Sequence, residues 1–222
     1  MEDGKVMINV VYEDNHLLVV IKPAGIPVQA DKSGDKDFLS MLKDYIKKKY
    51  NKSGNVYLGL VHRLDRPVSG IMLFAKTSKA AKRLSSQVVN HKFKKSYYAV
   101  VCGDIESSGI LKDKLSKNSK LNKSFVTKDG KDAELSFVKK GYKDGFSLVD
   151  INLKTGRSHQ IRVQFSHHGF PLYGDQKYND NTPIDDIALF AYKIEFNHPV
   201  THELLSFSSS MPSRYPFNLF KN

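Results

Sequence analysis

Apolar and polar positions along the chain follow two periods. Val10–Tyr12 and Leu17–Ile21 are short β-branched or aromatic runs separated by the polar stretch Glu13–His16, which predicts an opening strand pair. Lys22-Pro23-Ala24-Gly25 then breaks the pattern with a loop. Over Asp37–Tyr50 the residues Phe38, Leu39, Met41, Leu42, Tyr45 and Ile46 recur at helical spacing, with Asp37 placed to cap. A second helix is expected over Ser78–His91, where Ala80, Ala81, Leu84 and Val88 share a face. A third is expected over Ser158–His168, through Ile161, Phe165 and His168, with Ser158 as its cap. Tyr57–Val61 and Ile71–Ala75 read as strands flanking a polar loop, His62–Gly70, and Tyr97–Cys102 as another strand. Leu135–Val138 and Phe146–Leu153 read as strands around a Gly141–Gly145 turn, and Leu189–Phe196 and Leu204–Ser208 as a terminal hairpin turned at Pro199. Residues 103–131, rich in Lys, Ser, Asn and Gly with little periodicity, read as a mobile, basic, solvent-facing excursion. The sum is an α+β fold, one domain over residues 1–222, with a mixed, mostly antiparallel sheet flanked by helices and loops.

Composition narrows the function classes. With a single cysteine, Cys102, the chain has no internal disulfide framework and no Cys-only zinc site. Its longest unbroken apolar runs, 97–102 and 187–192, fall far short of the ~20 residues that cross a bilayer. Met1–Lys5 carries two acids where a signal peptide has bases, so a cytoplasmic protein that does not engage membranes is expected. Net charge is +12 and unevenly spread: residues 1–36 carry −2 and residues 183–222 carry −1, which leaves +15 in the middle. Seven lysines against two aspartates lie within residues 111–131 alone. That distribution points to a polyanionic partner. No large apolar stripe is left over, so a monomer is expected.

Common catalytic sites are excluded by inspection. There is no Walker-type phosphate loop, no G-x-G-x-x-G and no G-x-S-x-G. His202-Glu203-Leu204-Leu205-Ser206 lacks the second histidine of a zincin, and His167-His168 has no ligand-spaced acid or Cys, so no metal is expected. What remains are two polar constellations. His62-Arg63-Leu64-Asp65-Arg66 sets one carboxylate between two guanidinium groups, which favours the ionised form and a nucleophile over a proton donor; a structural ion pair pinning the loop is the other reading. Thr155-Gly156-Arg157-Ser158-His159-Gln160-Ile161-Arg162 gathers two arginines, a histidine and a glutamine at an expected helix start, an anion-friendly place or simply a solvated first turn.

The first constellation, continued through Pro67-Val68-Ser69-Gly70 to Leu73-Phe74-Ala75-Lys76, resembles the catalytic motif of the RluA-type RNA pseudouridine synthases. Three further segments resemble that family in order and spacing: Tyr12-Glu13-Asp14 through Lys22-Pro23-Ala24-Gly25; Lys95 through Gly103; and Gly156 through Arg162, on to Gly169, Pro171, Gly174, Asp175 and Tyr178. The likeness spans about residues 10–210 and departs from the family's pattern at Val68, where Thr is usual, and at Gln164, where His is common. It implies a pseudouridine synthase-like fold with an active-site cleft on the sheet, and no cofactor or metal. It also implies a uracil detached from ribose at N1, turned, and rejoined through C5.

By the same resemblance Asp65 matches the catalytic aspartate, which attacks the nucleotide or acts as a base on the ribose. Arg162 matches the arginine that pairs with that carboxylate. Tyr97 matches the tyrosine stacked near the uracil that handles the C5 proton, while Tyr98 should face the other way. Arg63 matches an arginine that fills the stack vacated by the flipped base, and Ile161 lines the uracil pocket. The implied partner is ribosomal or transfer RNA, bound by the catalytic domain alone, since only about nine residues precede the first motif where many relatives carry an S4-type module. The competing reading is a non-catalytic RNA-binding protein on the same fold.

Overall fold

The computed structural model describes residues 7–221, so the opening Met1–Lys5 lies outside them. The chain divides into two compact units, one reaching to Phe93 and taking in Glu195–Phe207, the other comprising Lys94–Ile194 and the segment after Phe207.

In the first unit, β1 (Asn9–Glu13) and β2 (Leu17–Lys22) pair antiparallel, with Val10 opposite Val20. Asp14 makes their turn, its carboxylate accepting from the amides of His16 and Leu17, both at 2.7 Å. Leu17–Val20 are completely buried, which is why the run is continuously apolar and not alternating. α1 (Phe38–Lys49) starts as expected at Asp37, whose carboxylate accepts from the Ser40 amide (3.0 Å); it buries Phe38, Leu42 and Ile46 and ends in three lysines that complement its dipole. β4 (Ser69–Ala75) pairs antiparallel with β2, Leu17 opposite Ala75 and Lys22 opposite Gly70.

The strand expected over Tyr57–Val61 shrinks to β3 (Gly59–Leu60), because beyond it the imidazole of His62 accepts from the Leu73 amide at 3.1 Å in place of a backbone carbonyl. α2 (Ser78–Val89) is capped by the hydroxyl of Thr77 and buries Ala80 and Leu84. Glu13 gathers the unit's ends: it accepts from Lys49 (2.7 Å) after α1, from Tyr50 (2.8 Å), and from Lys76 (2.8 Å) after β4.

The second unit holds β5 (Lys94–Cys102), β6 (Ser108–Asn118), β7 (Lys123–Val126), β8 (Lys131–Lys143), β9 (Phe146–Leu153) and α3 (Gln160–His167). The strands run antiparallel in the order β5-β9-β8-β6-β7. Asp144 and Gly145, both at positive φ, form the two-residue turn joining β8 to β9. β10 (Leu189–Asn197) gives this unit its first six residues and is paired by β11 (Leu204–Ser208).

Residues 103–131 are therefore not a mobile excursion; they form β6, β7 and the turns about them. Their alternation is hidden in sequence because Leu111 and Leu115 face inward with Asp113 between them. That aspartate is hydrogen-bonded from the α3 segment, accepting from Gln164 Nε2 (2.7 Å) and lying 3.2 Å from His168 Nε2. Leu115, Ala133 and Val163 form one core cluster, and Val100, Leu148, Tyr173, Ala188, Phe190 and Phe217 another.

Candidate active site

The first unit carries the aspartate loop. Asp65 is half-buried, Arg63 and Arg66 are exposed, and Leu64 and Val68 are buried as the loop's apolar anchors. The Val68 amide closes a turn on the Asp65 carbonyl at 3.0 Å. Val68, where the family usually has Thr, is 2% exposed, a site that suits a methyl in place of a hydroxyl. Beneath the loop lies Lys22, a fully buried lysine whose ammonium donates to the carbonyls of Pro23 (2.7 Å), Ile26 (2.8 Å) and Arg66 (3.1 Å). Burial pulls that ammonium down to about 8, with the Asp65 charge acting the other way and Arg66 adding to the fall. Gly25 docks the same two loops, its amide donating to Arg66 O at 3.0 Å while Arg66 Nε donates back to Gly25 O at 2.9 Å. Its φ of +80° is why glycine stands there. His62 is buried, and its Nε2 accepts from the Leu73 amide at 3.1 Å.

The second unit carries Tyr97, Ile161 and Arg162. Tyr97, 5% exposed, sits opposite Ile151 on β5. Its neighbour Tyr98 faces the other side, as strand alternation requires, and stacks on Tyr192 with ring centroids 4.0 Å apart. α3 does not begin at a Ser158 cap. It begins behind His159, a buried residue in the left-handed region at φ 55°. The preceding turn is held instead by Gln160, whose Oε1 accepts from Arg157 N (2.9 Å) and Thr155 Oγ1 (2.8 Å). The Ser158 carbonyl is occupied by the Ser124 hydroxyl at 2.8 Å.

One turn further in, Arg162 is 5% exposed and makes a two-point pair with Asp175, Nε to Oδ2 at 2.8 Å and Nη2 to Oδ1 at 2.6 Å. Its guanidinium lies over the Tyr178 ring, 5.2 Å from the centroid. Lys95, before Tyr97, packs against Gly156 closely enough that a β-carbon there would lie 2.9 Å from its ammonium, and burial lowers its pKa. Among the described residues no group of three His, Cys, Asp or Glu side chains is arranged to hold a metal ion.

The sequence profile of the RNA pseudouridylate synthases matches residues 16–167, which includes both constellations. The chain belongs to this family. The resemblance drawn from the four motifs is thus borne out. Among curated pseudouridine synthases, an uncharacterised RNA pseudouridine synthase of Bacillus subtilis is 36% identical over 92% of this chain and 69% of its own length. A ribosomal large subunit pseudouridine synthase C of Buchnera aphidicola is 36% identical over 87% of this chain, which spans 64% of that relative. A tRNA pseudouridine synthase C of Haemophilus ducreyi is 30% identical over 96% of both chains. The α+β fold is that of the human RNA pseudouridylate synthase domain-containing protein 4, with a TM-score of 0.79 at 20% identity over 95% of this chain and 91% of that one.

Within this pseudouridylate synthase, Arg63 and Asp65 lie together in the first unit, and Tyr97, Ile161 and Arg162 in the second. Sequence reasoning left Lys22, Asp175 and Tyr178 without roles although it quoted all three inside motifs. Their work depends on partners 44 residues away for Lys22 and 13 for Asp175, which spacing along the chain does not reveal.

Proposed function

We propose that this chain converts a specific uridine of ribosomal or transfer RNA to pseudouridine without a cofactor. Asp65, Tyr97 and Arg162 are the catalytic residues in this reading, and Arg63 and Ile161 contact the substrate. The C1′–N1 bond breaks and a C1′–C5 bond forms; N1 gains a proton and C5 gives one up, so atoms and electrons balance without a redox partner. Asp65 starts the sequence, by attack on the nucleotide or by removing a ribose proton. Tyr97 is the group for the C5 proton. Arg162 is the charge that orients the carboxylate.

The observation that carries the reading is the build of the Asp65 loop. A fully buried ammonium and a paired glycine turn fix the backbone on either side of a carboxylate that is itself only half-buried. Arg66, next to that carboxylate in the chain, spends its guanidinium on the Gly25 carbonyl and on Asp35, which ties the Asp65 loop to the neighbouring one. The RNA class is supported by the names of the Buchnera and Haemophilus relatives and by the exposed lysines Lys114, Lys117 and Lys120, which make no ion pair among the described residues.

The test uses ribosomal and transfer RNA fractions tritiated at uridine C5, taken from cells lacking this protein. Wild type should release tritium to water from one fraction, and Asp65→Asn from neither. Release by the variant at the wild-type rate, or by neither protein with RNA binding intact, would overturn the proposal.

A further inference from the structure

We propose that Asp175 and Tyr178 are positioning residues for Arg162, and that Tyr178 ties the orientation of its guanidinium to the lysine-bearing β6–β7 hairpin. The inference rests on the synthase reading above and adds to it two residues and a physical link.

A buried guanidinium has to be both paired and held, because an arginine side chain has four rotatable bonds with which to leave its place. Asp175, itself 1% exposed, supplies the pairing through both oxygens. It cannot swing to follow the arginine, since its Oδ1 also accepts from the Lys177 amide at 3.0 Å. Its backbone is fixed from the other side by Gly174, at φ +72°, where a β-carbon would lie 2.5 Å from the Asp186 carbonyl oxygen. The carboxylate thus fixes the guanidinium edge, and the Tyr178 ring covers its face.

Tyr178 is more than a packing residue. The Lys123 ammonium lies 5.0 Å from the same ring centroid, so one aromatic ring serves two cations. Its hydroxyl accepts from the Ser124 amide of β7 at 2.7 Å and shares a 2.8 Å hydrogen bond with His159 Nδ1, on the left-handed residue that starts α3. Two further bonds run alongside: Ser124 Oγ to the Ser158 carbonyl and Lys177 Nζ to the Asn122 carbonyl, both 2.8 Å. The hairpin so fastened carries Lys114, Lys117 and Lys120, exposed and without an ion pair among the described residues. RNA phosphates drawn to those lysines would load the strand whose amide and ammonium bear on Tyr178, and Tyr178 bears on Arg162.

The experiment is steady-state kinetics on the RNA fraction that wild type modifies, with circular-dichroism melting of each variant. Tyr178→Phe keeps the ring over the guanidinium and cuts the hydroxyl ties; it should lower kcat severalfold and leave KM within about twofold. Tyr178→Leu removes both and should lower kcat by about tenfold or more. Asp175→Asn should lower kcat more than KM, and if it fails to fold the two Tyr178 variants still decide. A rise in KM at constant kcat for both Tyr178 variants would make the residue part of the RNA surface and overturn the proposal. Unchanged constants in both would overturn it too. Absence of turnover by wild type would instead refute the synthase reading, so the two failures are told apart.

Discussion

At the scale of single residues the chemistry rests on a few side chains whose surroundings are otherwise structural. The loop that carries Asp65 is held by Lys22 and by the Gly25–Arg66 backbone bond, so Asp65→Asn should fold, bind RNA within about threefold of wild type and lose turnover. Equal loss of binding, read by filter retention, would make Asp65 structural. Tyr97→Phe keeps a stacking ring and removes the hydroxyl. It should slow release of the C5 hydrogen by about 10²-fold or more, and an unchanged single-turnover rate would remove Tyr97 from proton handling. Lys22 presents the opposite case, a charged residue with no solvent and three carbonyl acceptors. Lys22→Met would leave those carbonyls without a donor and should cost about 3 kcal/mol or more of stability, measured by urea unfolding.

At the scale of elements, the motif residues Glu13 and Lys76 prove to be fasteners. Burial alone would push the Glu13 carboxyl up, but the hydrogen bonds from Lys49, Lys76 and Tyr50 outweigh it and bring it down to about 2. The ordinary value is about 4.5, so the stabilisation is fully present above that pH and drains away as pH falls from about 4.5 toward 2. Glu13→Gln should therefore lower the melting midpoint at pH 7 by the equivalent of roughly 2–3 kcal/mol and flatten the acid limb of the midpoint-versus-pH curve.

Elements with strong periodicity, such as α1 behind its Asp37 cap and α2 with Ala80, Ala81, Leu84 and Val88 on one face, are legible directly from the sequence. The β6–β7 hairpin is not, because Asp113 occupies an inward position that alternation reserves for an apolar side chain and is satisfied only by Gln164 and His168 of the α3 segment. The start of α3 is obscured for a related reason. Its first turn is organised by the Gln160 side chain and a left-handed His159, so the hydroxyl at Ser158 misleads.

At the scale of the whole molecule, charge is the property that reaches beyond local contacts. The +15 falls within residues 37–182, the stretch of sequence that contains both site constellations. RNA affinity should fall steeply with salt, each phosphate contact adding about 0.7 to the slope of log affinity against log salt for single-stranded RNA. Lys117→Gln with Lys120→Gln should weaken binding and shallow that slope, and an unchanged slope would remove the hairpin from the RNA surface. The family likeness and the charge pattern were both readable in the sequence, whereas the supports of Asp65 and Arg162 emerge only from folding.

The central claim is that a uridine is isomerised by a reaction that begins at Asp65. Its most direct measurement is the nucleoside composition of digested RNA before and after incubation with wild type and with Asp65→Asn. Pseudouridine gained one for one with uridine lost, at unchanged RNA mass and only with wild type, is the predicted result. Pseudouridine formed equally by the variant, or none formed by wild type on RNA it binds, would contradict the account.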